Sequence, residues 1–118
     1  MISERDRVYI DHILECAALI QTYTRTGKAD FIANSLIQDA VLRRLQTMAE
    51  STQRLSDTLK QQAPAIDWRA LAGFRNILVH DYLGGIDLEQ VWNAVEQSLP
   101  ELETALRELI EQIENDTP

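Results

Sequence analysis

Apolar residues recur along most of this chain at three- and four-residue intervals, the period of an amphipathic helix rather than of a strand. Over the first 25 residues the pattern is carried by Val8, Ile10, Ile13, Leu14, Ala17, Ala18 and Ile20. Ser3, with Asp6 three positions on, forms a capping box at its start, and Gly27 marks its stop. From Ala29 to Ala63 there is neither Gly nor Pro, and Phe31, Leu36, Ile37, Ala40, Val41, Leu45, Met48, Leu55 and Leu59 trace a mostly apolar face. The spacing predicts one long second helix there, ended by Pro64. Some ~30 helical residues would span ~45 Å, a length that suits a bundle.

A third helix is predicted from Asp67, as its N-cap, to about Asp81, where Gly84-Gly85 breaks it. Asp87 is placed to cap a fourth, carrying Leu88, Val91, Trp92 and Val95. Pro100 follows two residues after Ser98, and Glu101 three after it, which predicts a fresh cap and a new helix rather than a kink. Leu102, Ala105, Leu106, Leu109, Ile110 and Ile113 line the last helix, whose tail frays at Asn115. No run of four to eight residues has the β-branched alternation of a strand. The expectation is a single all-α domain over residues 1–118, an up-and-down bundle of about five helices.

Composition agrees with that picture and narrows it. At 118 residues, with 45% apolar and 25% charged types, the chain can bury a core without metal or disulfide staples. Its one cysteine excludes an internal disulfide and a paired-cysteine metal site. No apolar run approaches the ~20 residues of a membrane helix. The opening Met1-Ile2-Ser3-Glu4-Arg5-Asp6 has no secretory character, so a soluble cytoplasmic protein is expected. The net charge of −8 disfavours a nucleic-acid binder, since phosphate is held mostly by Lys and Arg. The charge is unevenly spread, however: residues 1–42 carry −2, residues 43–75 carry +3, and residues 76–118 carry −9. The middle third can therefore present a local positive surface.

The chemistry is concentrated in Arg75-Asn76-Ile77-Leu78-Val79-His80-Asp81-Tyr82. At ~100° per residue, Leu71, Phe74, Ile77 and Leu78 share a core-facing sector of ~120° on the third helix. Taking Arg75 as zero, Asn76 lies at ~100° and His80 at ~140°, one turn apart on the opposite side. Arg75 sits at the edge between the faces. Alone, His80 reads as a helix-end residue interacting with the terminal carbonyls, Arg75 as a surface ion-pair partner, and Tyr82 as packing at the core edge.

Together these residues form an Rx4HxY arrangement, and the chain resembles the HepT family of HEPN-domain toxins. The resemblance runs over nearly the whole chain. It includes the Gly-rich turn, Trp92, the Leu99-Pro100-Glu101-Leu102 step, and Gln38-Asp39-Ala40-Val41-Leu42-Arg43-Arg44-Leu45. Where relatives often have a Gly-Glu-Ala-like step, this chain reads Ala49-Glu50-Ser51. The resemblance implies a metal-independent endoribonuclease, with no cofactor, that is the toxin of a HepT/MntA-type toxin–antitoxin system. It implies that Arg75 and His80 are catalytic, with Asn76 and Tyr82 auxiliary. It also implies a homodimer whose two motifs face a shared cleft, and an antitoxin that either is a nucleotidyltransferase transferring AMP to Tyr82 or silences the toxin by binding alone. Residue chemistry is compatible with such an enzyme. The 2′-hydroxyl of RNA is an internal nucleophile, and an imidazole with pKa near about 6.5 can accept its proton. A guanidinium suits the charge that gathers on the phosphoryl oxygens.

Other residues carry less. Arg43 and Arg44 are candidates to extend an RNA-binding surface, with an ordinary surface role as the alternative. Cys16 reads as a small buried hydrophobe, Trp68 and Trp92 as packing anchors, and His12 with Asp11 as too little for a metal site. The competing function is a non-catalytic HEPN protein that binds a nucleotide or a nucleotidyltransferase partner, which the acidic balance favours and the intact motif does not.

Overall fold

The computed structural model describes residues 2–69, 71, 85 and 87–115, and every regular element among them is helical. The first is α1 (Glu4–Tyr23), begun as the sequence predicts: Ser3 Oγ accepts the Asp6 N–H at 3.1 Å. The Asp6 side chain reaches beyond its own helix. Its two carboxylate oxygens accept the Ser56 N–H at 2.8 Å and the Ser56 hydroxyl at 2.6 Å, tying the first turn of α1 to a turn fifty residues away.

The long second helix expected between Ala29 and Ala63 is instead three: α2 (Lys28–Ala33), α3 (Ser35–Arg54) and α4 (Asp57–Gln61). The breaks are made by caps, not by Gly or Pro. Asn34 adopts φ −122° and ψ 107°, and its side-chain oxygen accepts from the N–H groups of Leu36 and Ile37. Gln38 then donates to the carbonyls of Phe31 and Ile32, both at 2.9 Å, satisfying the end of α2. Leu55 and Ser56 are likewise extended, and Ser56 Oγ caps α4 through the Leu59 N–H. Gly27, at φ +99°, supplies the left-handed turn by which the chain leaves α1 for α2.

The opposite correction applies near Pro100. Asp87 caps α5 (Leu88–Asn93) as expected, but Ser98 caps nothing. The chain passes through a π-helical turn, Ala94–Ser98, directly into α6 (Leu99–Asn115). Ala94 and Leu99 both keep right-handed helical dihedrals, and the Leu99 N–H reaches back five residues to the Ala94 carbonyl. Proline lacks an N–H and crowds the carbonyl four residues before it, and the wider π turn absorbs that misfit without ending the helix.

α1 and α3 lie antiparallel, as successive pairs show: Asp6 with Ser56, His12 with Ser51, Cys16 with Thr47. The end of α6 returns to the start of α1, where Arg7 bridges Asp11 and Glu114. α2 meets α5 through Lys28–Glu89 and through the Phe31 and Trp92 rings, 5.5 Å between centroids. The core is the shared apolar face of these helices, with Ile10, Ile13, Ile20, Phe31, Val41, Leu45, Val91 and Leu106 essentially sealed from water. The all-α bundle expected from the periodicity is therefore what the chain builds. No helix among the described residues is long and apolar enough to cross a membrane.

Candidate functional site

The motif residues Arg75, Asn76, His80 and Tyr82 lie outside the described residues, as do Phe74, Ile77 and Leu78 of the expected core stripe. What the structure shows is how the chain is held on either side of them. On the entry side, Trp68 is half-buried against the core, and its Nε1 donates to the carbonyls of Lys60 and Ala63, both at 3.2 Å. The Lys60 ammonium lies 5.9 Å from its ring centroid. A helix begins where the sequence predicts, the Leu71 N–H donating to the Asp67 carbonyl at 3.2 Å, and Leu71 itself packs on the core. On the exit side Gly85 takes φ +92°, and Asp87 accepts from the Glu89 and Gln90 N–H groups to start α5. Both flanks of the motif are thus fixed to the bundle by side-chain hydrogen bonds and apolar contact.

Beside that entry point a groove of about 470 Å³ opens between α3, the 66–71 segment and the α5–π–α6 rod. Its floor is apolar, from Leu45, Met48, Ile66, Leu71, Leu99 and Leu102, and its rim carries Asp67, Gln90, Asn93, Ser98 and Glu101. Sequence reasoning did not find this feature, because its lining comes from separate stretches of the chain, two of them on a continuous rod that was expected to be two helices.

The two basic candidates on α3 differ. Arg43 is exposed, while Arg44 is half-buried and donates to the Tyr23 hydroxyl at the end of α1. That hydrogen bond, opposed by partial burial and aided by the nearby Tyr23 and Cys16 groups, holds the Arg44 guanidinium above its ordinary value. Arg44 is therefore committed to the α1–α3 contact, and Arg43 alone of the pair is presented outward. Two arginines that sequence reasoning passed over converge elsewhere: Arg5 and Arg54 lie 5.9 and 6.0 Å from the Tyr9 ring centroid.

Cys16 is fully buried, as expected of a small hydrophobe, but it is not merely apolar packing. His12 Nδ1 sits 2.6 Å from Ser51 Oγ, and its Nε2 sits 3.5 Å from Cys16 Sγ, which lies 3.6 Å from Thr47 Oγ1. This polar ladder runs inside the α1–α3 interface. Asp11, taken with His12 in the sequence, turns instead to Arg7. Among the described residues no group of three or more His, Cys, Asp or Glu side chains is gathered as a metal site would need.

An all-helical bundle that fixes both flanks of an Rx4HxY segment defines a HEPN-type protein, and comparison with known proteins gives the family. The family described as "Ribonuclease HepT-like" matches residues 13–109, and the chain belongs to it. A probable ribonuclease HepT of Thermococcus cleftensis is 31% identical over 102 residues, covering 86% of this chain and 92% of that protein. A protein of Caldanaerobacter subterraneus subsp. tengcongensis, provisionally named an RNase, is 28% identical over 89% of this chain and 94% of its own length. A Methanocaldococcus jannaschii protein, named for γ-glutamylcyclotransferase and provisionally for RNase activity, is 31% identical over 92% of this chain, which spans only 49% of it. No solved structure matches the chain.

Proposed function

We propose that this protein is the toxin of a toxin–antitoxin pair and cleaves RNA without a metal ion, using Arg75 and His80. The observation that carries the reading is the position of the Rx4HxY segment inside the stretch, residues 13–109, over which the chain matches the HepT-like ribonuclease family. In this reading His80 accepts the proton of the 2′-hydroxyl, and the new bond from that oxygen to phosphorus expels the 5′-oxygen. Arg75 balances the charge on the non-bridging oxygens, and Asn76, one turn from His80, orients the phosphate. Neither step needs a Lewis acid, because nucleophile, base and counter-charge are all supplied.

Silencing fits the same reading. A nucleotidyltransferase antitoxin that esterified Tyr82 with AMP would place bulk and negative charge beside Arg75, so that RNA phosphate is both obstructed and repelled. The acidic C-terminal third, nine charges net negative over residues 76–118, suits a basic surface on such a partner.

The test is cleavage of total RNA and of tRNA by the chain expressed alone, in excess EDTA, with His80→Ala alongside. Cleavage that survives chelation and disappears in the variant, with its thermal melt unchanged, is the expected result. Intact mass on the same preparation excludes AMP on Tyr82. An unmodified wild-type chain that leaves RNA whole sinks the ribonuclease reading and favours the non-catalytic nucleotidyltransferase-binding alternative.

A further inference from the structure

Two arginines that no carboxylate claims carry an inference about where RNA is held, and its choice of RNA rests on the ribonuclease reading above. Arg5, in the first turn of α1, and Arg54, the last residue of α3, lie over one aromatic ring. Their guanidinium carbons are 5.9 and 6.0 Å from the Tyr9 centroid. Tyr9 is half-buried against the core, so the ring they share is held in place. The backbone that carries the arginines is clamped as well. Asp6, next to Arg5, accepts from both the N–H and the hydroxyl of Ser56, two residues beyond Arg54. Other cations of the fold are already engaged: Arg7 with Asp11 and Glu114, Lys28 with Glu89, and Arg44 with the Tyr23 hydroxyl. Among the described residues Arg5 and Arg54 have no ion pair, and the nearest carboxylate in sequence to Arg5 on the core side, Asp6, is spent on Ser56. One unpaired surface arginine is ordinary. Two held against one fixed ring repel each other, and the ring face offsets only part of that.

We propose that Arg5, Tyr9 and Arg54 form a contact site for single-stranded RNA, separate in sequence from the Rx4HxY segment, that grips the strand by two of its phosphodiesters. Such a strand suits the cluster in both its parts. Its successive phosphates supply the negative charge that the two guanidinium groups lack, and bidentate N–H donors match phosphate oxygens. Its unstacked bases can lie on a guanidinium plane or an aromatic ring, and both are present here. An acidic peptide offers the charge alone. On a chain of net charge −8, phosphate can be held only where cations escape their acidic neighbours, and the fold leaves this pair free to do so.

The test is fluorescence anisotropy of a 5′-labelled oligouridine of about ten nucleotides, 2′-O-methylated throughout so that it cannot be cleaved, titrated with the full chain at several salt concentrations. Each phosphate contact on a single strand contributes about 0.7 to the slope of log affinity against log salt, so Arg5→Gln/Arg54→Gln should make that slope shallower by about 1.4. The same variant should bind about tenfold more weakly at low salt. Its thermal melt should be unchanged, since both side chains are exposed. Arg25→Gln/Arg107→Gln removes the same charge from two other exposed positions and should stay within about twofold of wild type. No binding by the unaltered chain, a wild-type slope in the Arg5/Arg54 variant, or an equal loss in the control pair would each overturn the proposal. So would a polyglutamate peptide that displaces the labelled strand as well as unlabelled oligouridine does, which would make the cluster a site for an acidic protein. Cleavage of unmodified RNA by the same wild-type preparation is read separately. Cleavage with binding that ignores the pair ends this inference and leaves the ribonuclease, whereas pair-dependent binding without cleavage keeps the site and ends the ribonuclease reading.

Discussion

Asp6 shows how one side chain fixes two helices. Burial alone would push its carboxyl up. Hydrogen bonds from the Ser56 hydroxyl and then the Ser56 N–H outweigh that, helped by Ser3 and the charge of Arg5, so the group titrates below the ordinary aspartate range. A carboxyl whose pKa is lower folded than unfolded stabilises the fold above its unfolded value, about 4, and loses that contribution as pH falls toward its folded value. Asp6→Asn should therefore cost about 1–3 kcal/mol near neutrality. Urea titrations of both proteins should show that gap narrowing below about pH 4, and a gap constant from pH 7 to pH 3 would contradict the assignment. Ser51 makes a parallel case. Its hydroxyl is the partner of His12 Nδ1. Ser51→Ala leaves that part-buried nitrogen without its partner and should cost about 1 kcal/mol in the same assay.

Among the elements, the caps and the core divide the work. Asn34 is the residue that separates α2 from α3, and Asn34→Ala should lower stability by about 1 kcal/mol, read as a shift in the urea midpoint. Leu106, with no exposed surface, should cost about 2–5 kcal/mol when truncated to alanine. Leu36 lies on the same expected apolar stripe as Val41 and Leu45 but is 77% exposed, and Leu36→Ala should change stability by less than about 0.5 kcal/mol. That contrast explains what could be read from the sequence. Periodicity reported the helical class and the core faces of α1, α3 and α6, because each apolar stripe is a local property of one helix. It could not report Asn34 or Ser56 as breaks, since Asn and Ser are tolerated inside helices and become caps only when a tertiary partner, such as Asp6 for Ser56, pays for the turn. Nor could it show Pro100 riding through a π turn, which depends on how the rod packs. At the candidate site, the motif was legible as a spacing, and its anchoring by Trp68 was half-legible as a packing residue. The groove rim was not legible, because its lining comes from separate stretches of the chain that only the tertiary packing brings together.

For the whole molecule, the open question in the proposed chemistry is the second proton. A base at the 2′-oxygen leaves the departing 5′-oxygen in need of an acid, and each chain has only two histidines. His12 is poorly placed to serve, since both its ring nitrogens are already engaged, by Ser51 and by Cys16, within the α1–α3 interface. We propose that the acid comes from a second copy, the two His80 side chains acting as base and acid across the shared cleft that the family resemblance implies. Individually tagged wild-type and His80→Ala chains, co-expressed and purified through both tags, give a defined mixed dimer. If each cut needs both histidines, its turnover should fall to about a tenth of wild type or less, the scale of a lost general acid. If each protomer cuts alone, the mixed dimer keeps half. Size-exclusion chromatography of the same sample must return a dimer, because a monomer that still cleaved RNA would require an acid from within one chain and would rule the paired arrangement out.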